Sequence, residues 1–537
     1  MANLAARSIL VLALLFGLLF AVGAGVMAYY NVNVGWAVAL ALVVVFLQYL
    51  VGPYIISWIF KINWVDPASV RADIPGMIEE SCRKHGIPIP TFGIIEDGNP
   101  NAFTFGHYPG NARVVVTRGL VEMLEPDELH AVIAHELGHI KHWDFVVMTI
   151  ASAIPVALYM IWRFGMGRRR GRDSGYAVVV AIGAYVAYVL SQYIALLLSR
   201  VREYYADYYS AHDTGKPNAL ASALVKIAYG LAKLPPKAEG EKDKGFAHSA
   251  AAGASSLGIF SFSAAVPFAI SSLGANGQMS PTATAAAMRW DLRNPWAKWF
   301  ELHSTHPLPA KRIFELERMT QLSGGQPSIP IEAGYQESLW PTFFRDVLFA
   351  AMPWLPLLLI PILGFAAISS QNPEHLKLIG WIVAACGLGL MIRLTYCYPK
   401  RFMPGSVREL VGEVEVSHIK SVPVEMEGTV IGRGIPGLFY AKDLVLQDDT
   451  GFITLQYRQP LGFLEFLFGL LKADQMIGKK VKVTGWYRRG PSPYLEVWRA
   501  HADTGEGFKC YWYGSQVFVA VAMIVVGLLL GLALGGL

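Results

Sequence analysis

The sequence DELHAVIAHELGH at residues 127–139 combines the apolar periodicity of an α-helix with an H-E-x-x-H motif at its end. Acidic residues at the start of this stretch favour a helix N-terminus. On a helix, His135 and His139 share one face, so both imidazoles can bind one metal ion. Glu136 is turned by about 100° from His135 and can act as a base without ligating the ion. The motif therefore predicts a zinc site with one ion per chain and one open coordination position.

A third metal ligand is predicted from an acidic pair, Glu203 and Asp207, whose members stand one helical turn apart. Glu203 is expected to bind the metal, and Asp207 to accept the free N–H of a ligand histidine and fix its tautomer. The uncharged run at 145–162 follows the histidine helix, and the run at 176–199 precedes Glu203. An antiparallel pair of membrane helices would thus return Glu203 to His139. The alternative, a surface helix with two unrelated histidines, does not account for this arrangement.

The composition points to a membrane protein. Of the 537 residues, 54% are hydrophobic and 16% are charged, whereas soluble proteins carry about a quarter charged residues. Several uncharged runs come near the roughly 20 residues that a bilayer-spanning helix requires. They predict about seven transmembrane helices, at residues 9–27, about 35–60, 145–162, 176–199, 347–373, 378–392 and 511–537. The net charge of +5 is modest for this length, and the four cysteines show no metal-binding or redox spacing.

Residues 400–509 alternate apolar and polar side chains in a way that is typical of β-strands. About five strands are predicted, with a short apolar helix at 461–472 between the third and the fourth, which is the order of an OB-fold. Aromatic and basic side chains in this segment could bind a single nucleic-acid strand. The alternative is a small barrel that uses its aromatics as a core and its lysines as a face toward lipid headgroups. We favour this second interpretation, with a substrate-docking or assembly role, since OB-like barrels serve many functions.

The expected fold class is mainly α. It is a polytopic membrane protein with an α+β zincin-like metallopeptidase core and a C-terminal OB-like β-barrel domain. The expected divisions are two transmembrane helices at 1–60, a metallopeptidase domain at 61–346 that includes a transmembrane hairpin at about 145–199, a second transmembrane hairpin at 347–398, the β domain at 400–509 and a last transmembrane helix at 511–537.

Five motifs in the chain resemble, in their order, those of the HtpX and CaaX-prenyl-endopeptidase family of membrane zinc metallopeptidases. They are PNAFTFG at 100–106, RVVVTRGL at 113–120, the histidine helix with KHWD at 141–144, REYYAD at 202–207, and His306-Pro307 with Arg312. The resemblance covers about residues 66–321. It implies a multi-pass enzyme of the cell membrane, with the lipid bilayer and protein or peptide substrates, such as unfolded membrane proteins, as its partners. HtpX-like members imply quality-control proteolysis. We favour this role over the alternative, prenyl-protein processing, because the CaaX enzymes arrange their spans in a different order.

The resemblance also implies roles for residues outside the metal site. The segment that matches Asn101, Ala102 and Phe103 resembles an edge strand that pairs with an extended substrate. His306 resembles a histidine that donates to the tetrahedral oxyanion. From the residues alone, Asn101 would be a turn residue after Pro100, and His306 would be an ordinary loop histidine. Both alternatives stay open at this point.

Basic residues near the predicted spans place the catalytic segments on the cytoplasmic side. Arg7, Lys61 and Lys400 would all lie inside, whereas the basic tip at 168–172 would lie outside and contradicts the rule. The main rival to an enzyme is a non-catalytic membrane scaffold that keeps zinc for structure. Glu136 argues against it, because a closed structural site does not need that carboxylate. A metal transporter would carry acidic ligands inside its spans, and these spans carry almost none.

Overall fold

The computed structural model describes residues 35–167, 174–229, 281–327, 338–362, 375–438, 440–490 and 492–533. The first predicted span, at 9–27, and the basic tip at 168–172 lie outside these ranges. The described part of the chain is predominantly helical and contains two β-sheets.

The helices and strands have the following bounds. The helices are α1 (Gly35–Ile59), α2 (Pro67–Val70), α3 (Ile74–His85), α4 (Arg118–Met123), α5 (Pro126–Lys141), α6 (Asp144–Gly167), α7 (Ser174–Thr214), α8 (Pro217–Tyr229), α9 (Pro281–Arg293), α10 (Pro295–Leu302), α11 (Pro309–Leu322), α12 (Trp340–Ala351), α13 (His375–Cys397), α14 (Val407–Val411), α15 (Gly462–Leu471), α16 (Ala473–Met476) and α17 (Trp512–Ala533). The strands are β1 (Asn63–Trp64), β2 (Thr91–Ile95), β3 (Ala102–Phe105), β4 (Arg113–Thr117), β5 (Met403–Pro404), β6 (Val422–Arg433), β7 (Leu444–Gln447), β8 (Phe452–Gln456), β9 (Lys480–Arg489), β10 (Pro493–Ala502) and β11 (Gly507–Lys509).

Four helices in the described ranges are long and apolar enough to cross a membrane. They occupy Asp144–Arg163, Val179–Thr214, Leu378–Cys397 and Trp512–Leu532. These segments lie in α6, α7, α13 and α17, and they overlap four of the predicted spans. Within α1, the segment Tyr49–Ile59 forms a shorter apolar helix.

The predicted span at 347–373 is not one straight helix. The helices Trp340–Ala351 and Leu355–Ile362 are bent by 69° relative to each other. Pro353 lies in the break between them, and proline interrupts a helix because it lacks the N–H group and clashes with the preceding turn. Counting the bent pair as one span gives up to five candidates in the described residues. The total of about seven stays a prediction.

A four-stranded sheet lies beside the histidine helix, in the order β1-β2-β4-β3. β2 and β4 are parallel, whereas β3 runs antiparallel to β4, with Ala102 opposite Val116. β3 is therefore an edge strand of this sheet. The Thr104 hydroxyl donates to the backbone carbonyl of Glu136 at 3.5 Å. This contact places the edge strand directly against α5.

The histidine helix α5 lies at the centre of the apolar core. It packs against α3, α7 and α8, and burial of apolar side chains on several faces fixes its rotation and stabilises the fold. The side chains that are almost fully buried are Leu129, Ala131, Ile133, Leu137 and Ile140. This rotation leaves His135 and His139 facing Glu203 on α7.

Five strands of the second sheet close into a barrel, in the order β6-β7-β8-β10-β9, with β9 paired back onto β6. β8 and β10 are parallel, and α15 follows β8, the third strand, as the sequence predicts. The closed barrel and the mainly helical remainder confirm those parts of the expected fold class. Phe452 and Tyr487 are buried in the barrel, and Trp486 is buried against the segment that follows α13, where its indole donates to the Pro399 carbonyl at 2.8 Å. Aromatics that fill a core favour the structural interpretation of this barrel over nucleic-acid binding.

The barrel packs directly onto the helical part of the chain. The Trp290 indole donates to the carbonyl of Val416 at 2.7 Å, and the Arg489 guanidinium lies 3.3 Å from the Asp291 carboxylate. In the loop before β3, the side chain of Asn99 donates to the backbone carbonyl of Arg433 at 2.9 Å. Buried polar groups require such partners. The barrel therefore contacts the loop that leads into β3.

Candidate metal centre and active site

The structure brings His135, His139 and Glu203 together around one point. The Nε2 atoms of the two histidines are 3.2 Å apart. One carboxylate oxygen of Glu203 lies 3.7 Å from His135 Nε2, and the other lies 3.7 Å from His139 Nε2. His135 and Glu203 are buried, and His139 is partly buried. This group could hold a metal ion.

These donors fit zinc by both chemistry and spacing. Zinc prefers imidazole nitrogen and carboxylate oxygen at about 2.0–2.2 Å in a tetrahedral arrangement, which puts neighbouring donors about 3.3 Å apart. The three observed separations lie within half an ångström of that value. Three protein ligands also leave a fourth position open, as catalytic rather than structural zinc sites do.

The helix that carries both histidines is fixed at its start by local sequence. Pro126 occupies the first turn, and the Glu128 carboxylate accepts the backbone N–H of Glu125 at 3.0 Å. Proline and a reciprocal cap are typical of helix N-termini, where the first N–H groups otherwise lack partners. The helix therefore begins at Pro126, nine residues before His135. This start fixes the positions of His135 and His139 along the core.

Gly138 allows α5 and α7 to approach each other at the site. A Cβ atom at this position would lie 3.1 Å from Ala206 Cα and 3.2 Å from the Tyr209 side chain. Glycine has no Cβ, so backbones can come closer here than another residue would allow. The close approach brings Glu203, on α7, within reach of the two histidines on α5.

Each of the two histidines contacts a carboxylate through its other ring nitrogen, Nδ1. His135 Nδ1 lies 3.1 Å from an oxygen of Asp207, the residue that the sequence predicts for this role. His139 Nδ1 lies 2.6 Å from an oxygen of Asp144. Such carboxylates fix the ring orientation and leave Nε2 free to bind metal. The structure therefore supplies one carboxylate for each histidine.

Asp144 has this position because of a turn that sequence reasoning missed. Trp143, the second residue after α5, has a positive φ of 58°, a left-handed conformation that is uncommon outside glycine. The turn directs the first residue of α6 back toward His139. Arg202 then pairs with Asp144, with its Nε 2.5 Å from Oδ1. The KHWD motif at 141–144 was the only signal in the sequence, and it carried no role for Asp144.

Arg312 connects the two acidic residues of α7. Its guanidinium donates to both oxygens of Asp207, at 2.8 and 2.5 Å, and lies 3.0 Å from a Glu203 oxygen. Burial lowers the pKa of Arg312, but the charges of Asp207 and Glu203 outweigh burial and raise it above its usual value. A permanent positive charge here compensates two buried carboxylates, which would otherwise be costly.

His306 lies at the site, but next to Glu203. Its Nδ1 is 3.1 Å from the Glu203 oxygen that also faces His139. About a quarter of the side chain is exposed, so the ring borders the accessible side of the site. The location is compatible with the expected oxyanion contact, which stays a prediction.

The remaining predicted residues lie along the edge strand. The backbone N–H of Asn101 donates to the Thr117 hydroxyl at 2.8 Å, and its carbonyl accepts the Thr117 N–H at 2.9 Å. Ala102 and Phe103 then pair with β4. Asn101 is therefore tied to the end of β4, directly before the edge strand, and its pairing with a substrate stays a prediction.

The charges around His139 change its affinity for protons in the metal-free protein. Burial lowers the pKa of His139, but the hydrogen bond and charge of Asp144, with the charges of Glu203 and Glu136, raise it to about 9. The same negative charges would favour a bound cation. The site is therefore electrostatically suited to a divalent ion and must release a proton to accept it.

His135, His139 and Glu203 bring two imidazoles and a carboxylate together, and Glu136 adds a second carboxylate on the histidine helix. Metallopeptidases use this arrangement. Comparison with known proteins agrees with this class. Residues 68–320 match the profile of Peptidase family M48. A "Protease HtpX homolog" of Methanothermobacter thermautotrophicus is 39% identical over 248 residues, which cover 44% of this chain and 90% of the relative. The chain belongs to peptidase family M48, which confirms the resemblance predicted from the motifs.

Further similarities extend the comparison. A "Protease HtpX homolog" of Aeropyrum pernix is 33% identical over 297 residues, which cover 53% of this chain and 86% of that protein. The crystal structure of S. mikatae Ste24p aligns with 59% of this chain and with 67% of the Ste24p chain. The TM-score is 0.33 and the sequence identity is 18%. The family match ends at residue 320, before the barrel begins. Family membership and the apolar helices together support a membrane metallopeptidase.

Proposed function

We propose that this chain is a membrane-embedded zinc endopeptidase that cleaves membrane or unfolded proteins in quality control. The observation that carries the proposal is the group of His135, His139 and Glu203 around one point, with Glu136 on the same helix. Membership in peptidase family M48 and the names of the HtpX relatives support the protease activity. The four candidate spans support action at a membrane.

Glu136 is the residue to which we assign the proton transfers. Zinc, when bound by the two histidines and Glu203, would act as a Lewis acid toward the scissile carbonyl and lower the pKa of a water molecule. The Glu136 carboxylate would take a proton from the attacking water and pass it to the leaving amine. Its position directly after His135 on the histidine helix, buried beside the residues that would hold the ion, supports this role.

The contacts of the ligands would keep the site in one geometry. Asp207 and Asp144 would hold the two imidazoles with Nε2 toward the ion, and Arg312 would hold Glu203 and Asp207 together. His306 would donate to the oxyanion that forms as water adds to the carbonyl. Its partly exposed ring next to Glu203 supports that assignment.

An extended substrate would pair with the edge strand. The backbone of Asn101, Ala102 and Phe103 would add the substrate to the sheet by main-chain hydrogen bonds. Support comes from the edge position of β3 and from the contact between Thr104 and Glu136. Main-chain pairing selects for extended conformation more than for sequence. This suits a protease that acts on unfolded segments.

The catalytic side would face the cytoplasm. Lys61 follows α1, and Lys400 and Arg401 follow α13, so basic residues adjoin the ends of two apolar helices on the side of the barrel and the metal site. The positive-inside tendency of membrane proteins supports this orientation.

Removal and return of the metal test the proposal. Purified full-length protein in detergent should cleave an unfolded membrane-protein substrate, lose cleavage in a chelator, and regain it with about one zinc per chain. His135→Ala should neither hold zinc nor cleave. If the wild-type protein binds zinc but cleaves neither this substrate nor any other unfolded protein, the result would favour the non-catalytic scaffold. Cleavage confined to prenylated peptides would favour the CaaX-type alternative.

A further inference from the structure

The barrel carries one strongly apolar outer surface, on helix α15 and the residue before it. The sequence of α15 is GFLEFLFGLL. The large apolar side chains of this surface that are more than a third exposed are Leu461, Phe463, Leu464, Phe466, Leu470 and Leu471. Two of them, Phe463 and Leu471, are 66% and 60% exposed. A contiguous apolar surface of this kind indicates a binding surface rather than contact with water.

The single charged residue of α15 does not interrupt this surface. Glu465 turns toward the barrel, where its carboxylate lies 2.5 Å from the Lys442 ammonium and accepts the Gln459 N–H at 2.8 Å. On the inner side, the Phe468 ring stacks on Tyr457 at 3.8 Å between centroids. The helix is thus fixed to the barrel by its inner face, and its outer face is purely apolar.

The start of α15 is tied to the start of a candidate span, α17. The Gln459 side chain donates to the Lys509 carbonyl at 2.8 Å and accepts the Tyr511 N–H at 3.2 Å. The Arg458 guanidinium lies over the Trp512 ring, 4.1 Å from its centroid. These contacts place the first turn of α15 at the level where α17 leaves the barrel.

The other end of α15 lies beside the end of α1. Asp474, three residues after α15, is 3.7 Å from Lys61, which follows α1. The Tyr440 ring contacts Phe466 of α15 at 5.8 Å and belongs to the apolar cluster around Ile59. Both ends of α15 are therefore level with points where apolar helices meet the folded part. A helix held between two such points lies roughly along the membrane surface.

We propose that α15 is an in-plane membrane helix, whose apolar face inserts between the lipid headgroups and the acyl chains and seats the barrel on the bilayer. Amphipathic helices of this kind bind by burying an apolar face in the interfacial layer. Aromatic and basic side chains adjoin both ends, as is typical of that layer. They are Tyr511, Trp512, Arg458, Lys61 and Lys472. The inserted helix holds the barrel, and with it the Asn99 loop, at a fixed height above the membrane.

A fluorescent label on α15 tests this placement in the full-length protein. Phe463→Cys or Leu471→Cys, reconstituted in phosphatidylcholine nanodiscs, would carry a bimane label. The native cysteines are all buried, and unsubstituted protein gives the labelling background. Asp449→Cys is the matched control. Asp449 is exposed on the turn before the start of β8, whereas Gln459 and α15 follow the opposite end of that strand.

Brominated phosphatidylcholine should quench the labels on α15 several-fold more than the control label, and aqueous iodide should show the reverse order. Equal iodide quenching at Phe463→Cys and Asp449→Cys would overturn the proposal, because the surface would then face water. Labels that are shielded from iodide but not quenched by brominated lipid would also overturn it, because protein or a second copy of the chain would then cover the helix. Leu461→Cys offers a third position should one labelled variant fail to fold.

Discussion

His139 Nδ1 and Asp144 Oδ2 are 2.6 Å apart, across the turn that joins the histidine helix to the first candidate span. The contact links the metal site to the point where the chain enters the membrane. Arg202, on the returning helix, closes the connection by pairing with Asp144. The predictions below concern how such contacts affect metal binding, stability and turnover.

Asp144→Asn should weaken zinc binding about 10- to 100-fold, the usual cost of losing a carboxylate that orients a ligand histidine. The amide keeps the shape of the side chain but not its charge. Competition with a fluorescent zinc chelator measures the affinity. Asp127→Asn is the control, because Asp127 is exposed and pairs only on the surface with Lys216. Equal affinities in the two variants would show that Asp144 does not orient His139.

Zinc affinity should rise with pH up to about 9. The pKa of His139 is raised to about 9 in the metal-free protein, so the imidazole is protonated below that pH and must lose its proton to bind zinc. Affinity should therefore fall about tenfold for each pH unit below 9. Calorimetry in buffers of different ionisation enthalpy should detect about one released proton near pH 7.5. An affinity that is constant between pH 7 and pH 9 would contradict the charge assigned to His139.

Gly138→Ala should destabilise the protein by about 1–3 kcal/mol, the range for overpacking a close contact. The new methyl group would meet the backbone of Ala206 and the Tyr209 ring, so α5 and α7 would have to separate and zinc affinity should fall as well. Gly76→Ala is the control, since a Cβ at Gly76 has nothing within 4 Å and alanine favours a helix. Thermal unfolding and zinc titration compare the two. Unchanged stability in Gly138→Ala would mean that the helices do not need this glycine.

Asn99→Ala should lower kcat/KM for an unfolded substrate while zinc stays bound. Asn99 is fully buried and donates to the carbonyls of Arg433 and Gly434. Its loss removes both hydrogen bonds, at a cost of about 1–3 kcal/mol. The loop it anchors leads directly into the edge strand. Steady-state cleavage, zinc content and thermal unfolding are measured together. Normal kcat/KM with reduced stability would limit the barrel contact to a structural role.

Features that depend on local sequence could be predicted. The histidine helix follows from its own periodicity and cap, and the closed barrel follows from alternating strands and a turn at Asp448–Gly451. Placing Glu203 beside the histidines needed only the assumption that two adjacent apolar runs form a hairpin. In each case the signal lies within one element or between neighbours along the chain.

Features that depend on distant contacts or unusual backbone could not be predicted. The role of Asp144 depends on the left-handed conformation of Trp143, for which the sequence carries no glycine as a signal. Arg312 reaches Asp207 from an element 105 residues away. The bend in the predicted span at 347–373 was missed because overall apolarity hid the effect of Pro353. The contacts of the barrel with the Asn99 loop likewise join segments that are far apart in the chain.

The most direct test of the central claim compares Glu136→Gln with Glu79→Gln in purified full-length protein, measuring cleavage of an unfolded membrane protein and bound zinc in parallel. Glu79 is exposed on α3 and serves as the matched control. We expect both variants to hold about one zinc per chain, with cleavage lost only in Glu136→Gln. Cleavage by Glu136→Gln at the wild-type rate would contradict the assignment of Glu136 as the base, and with it the proposed peptidase mechanism.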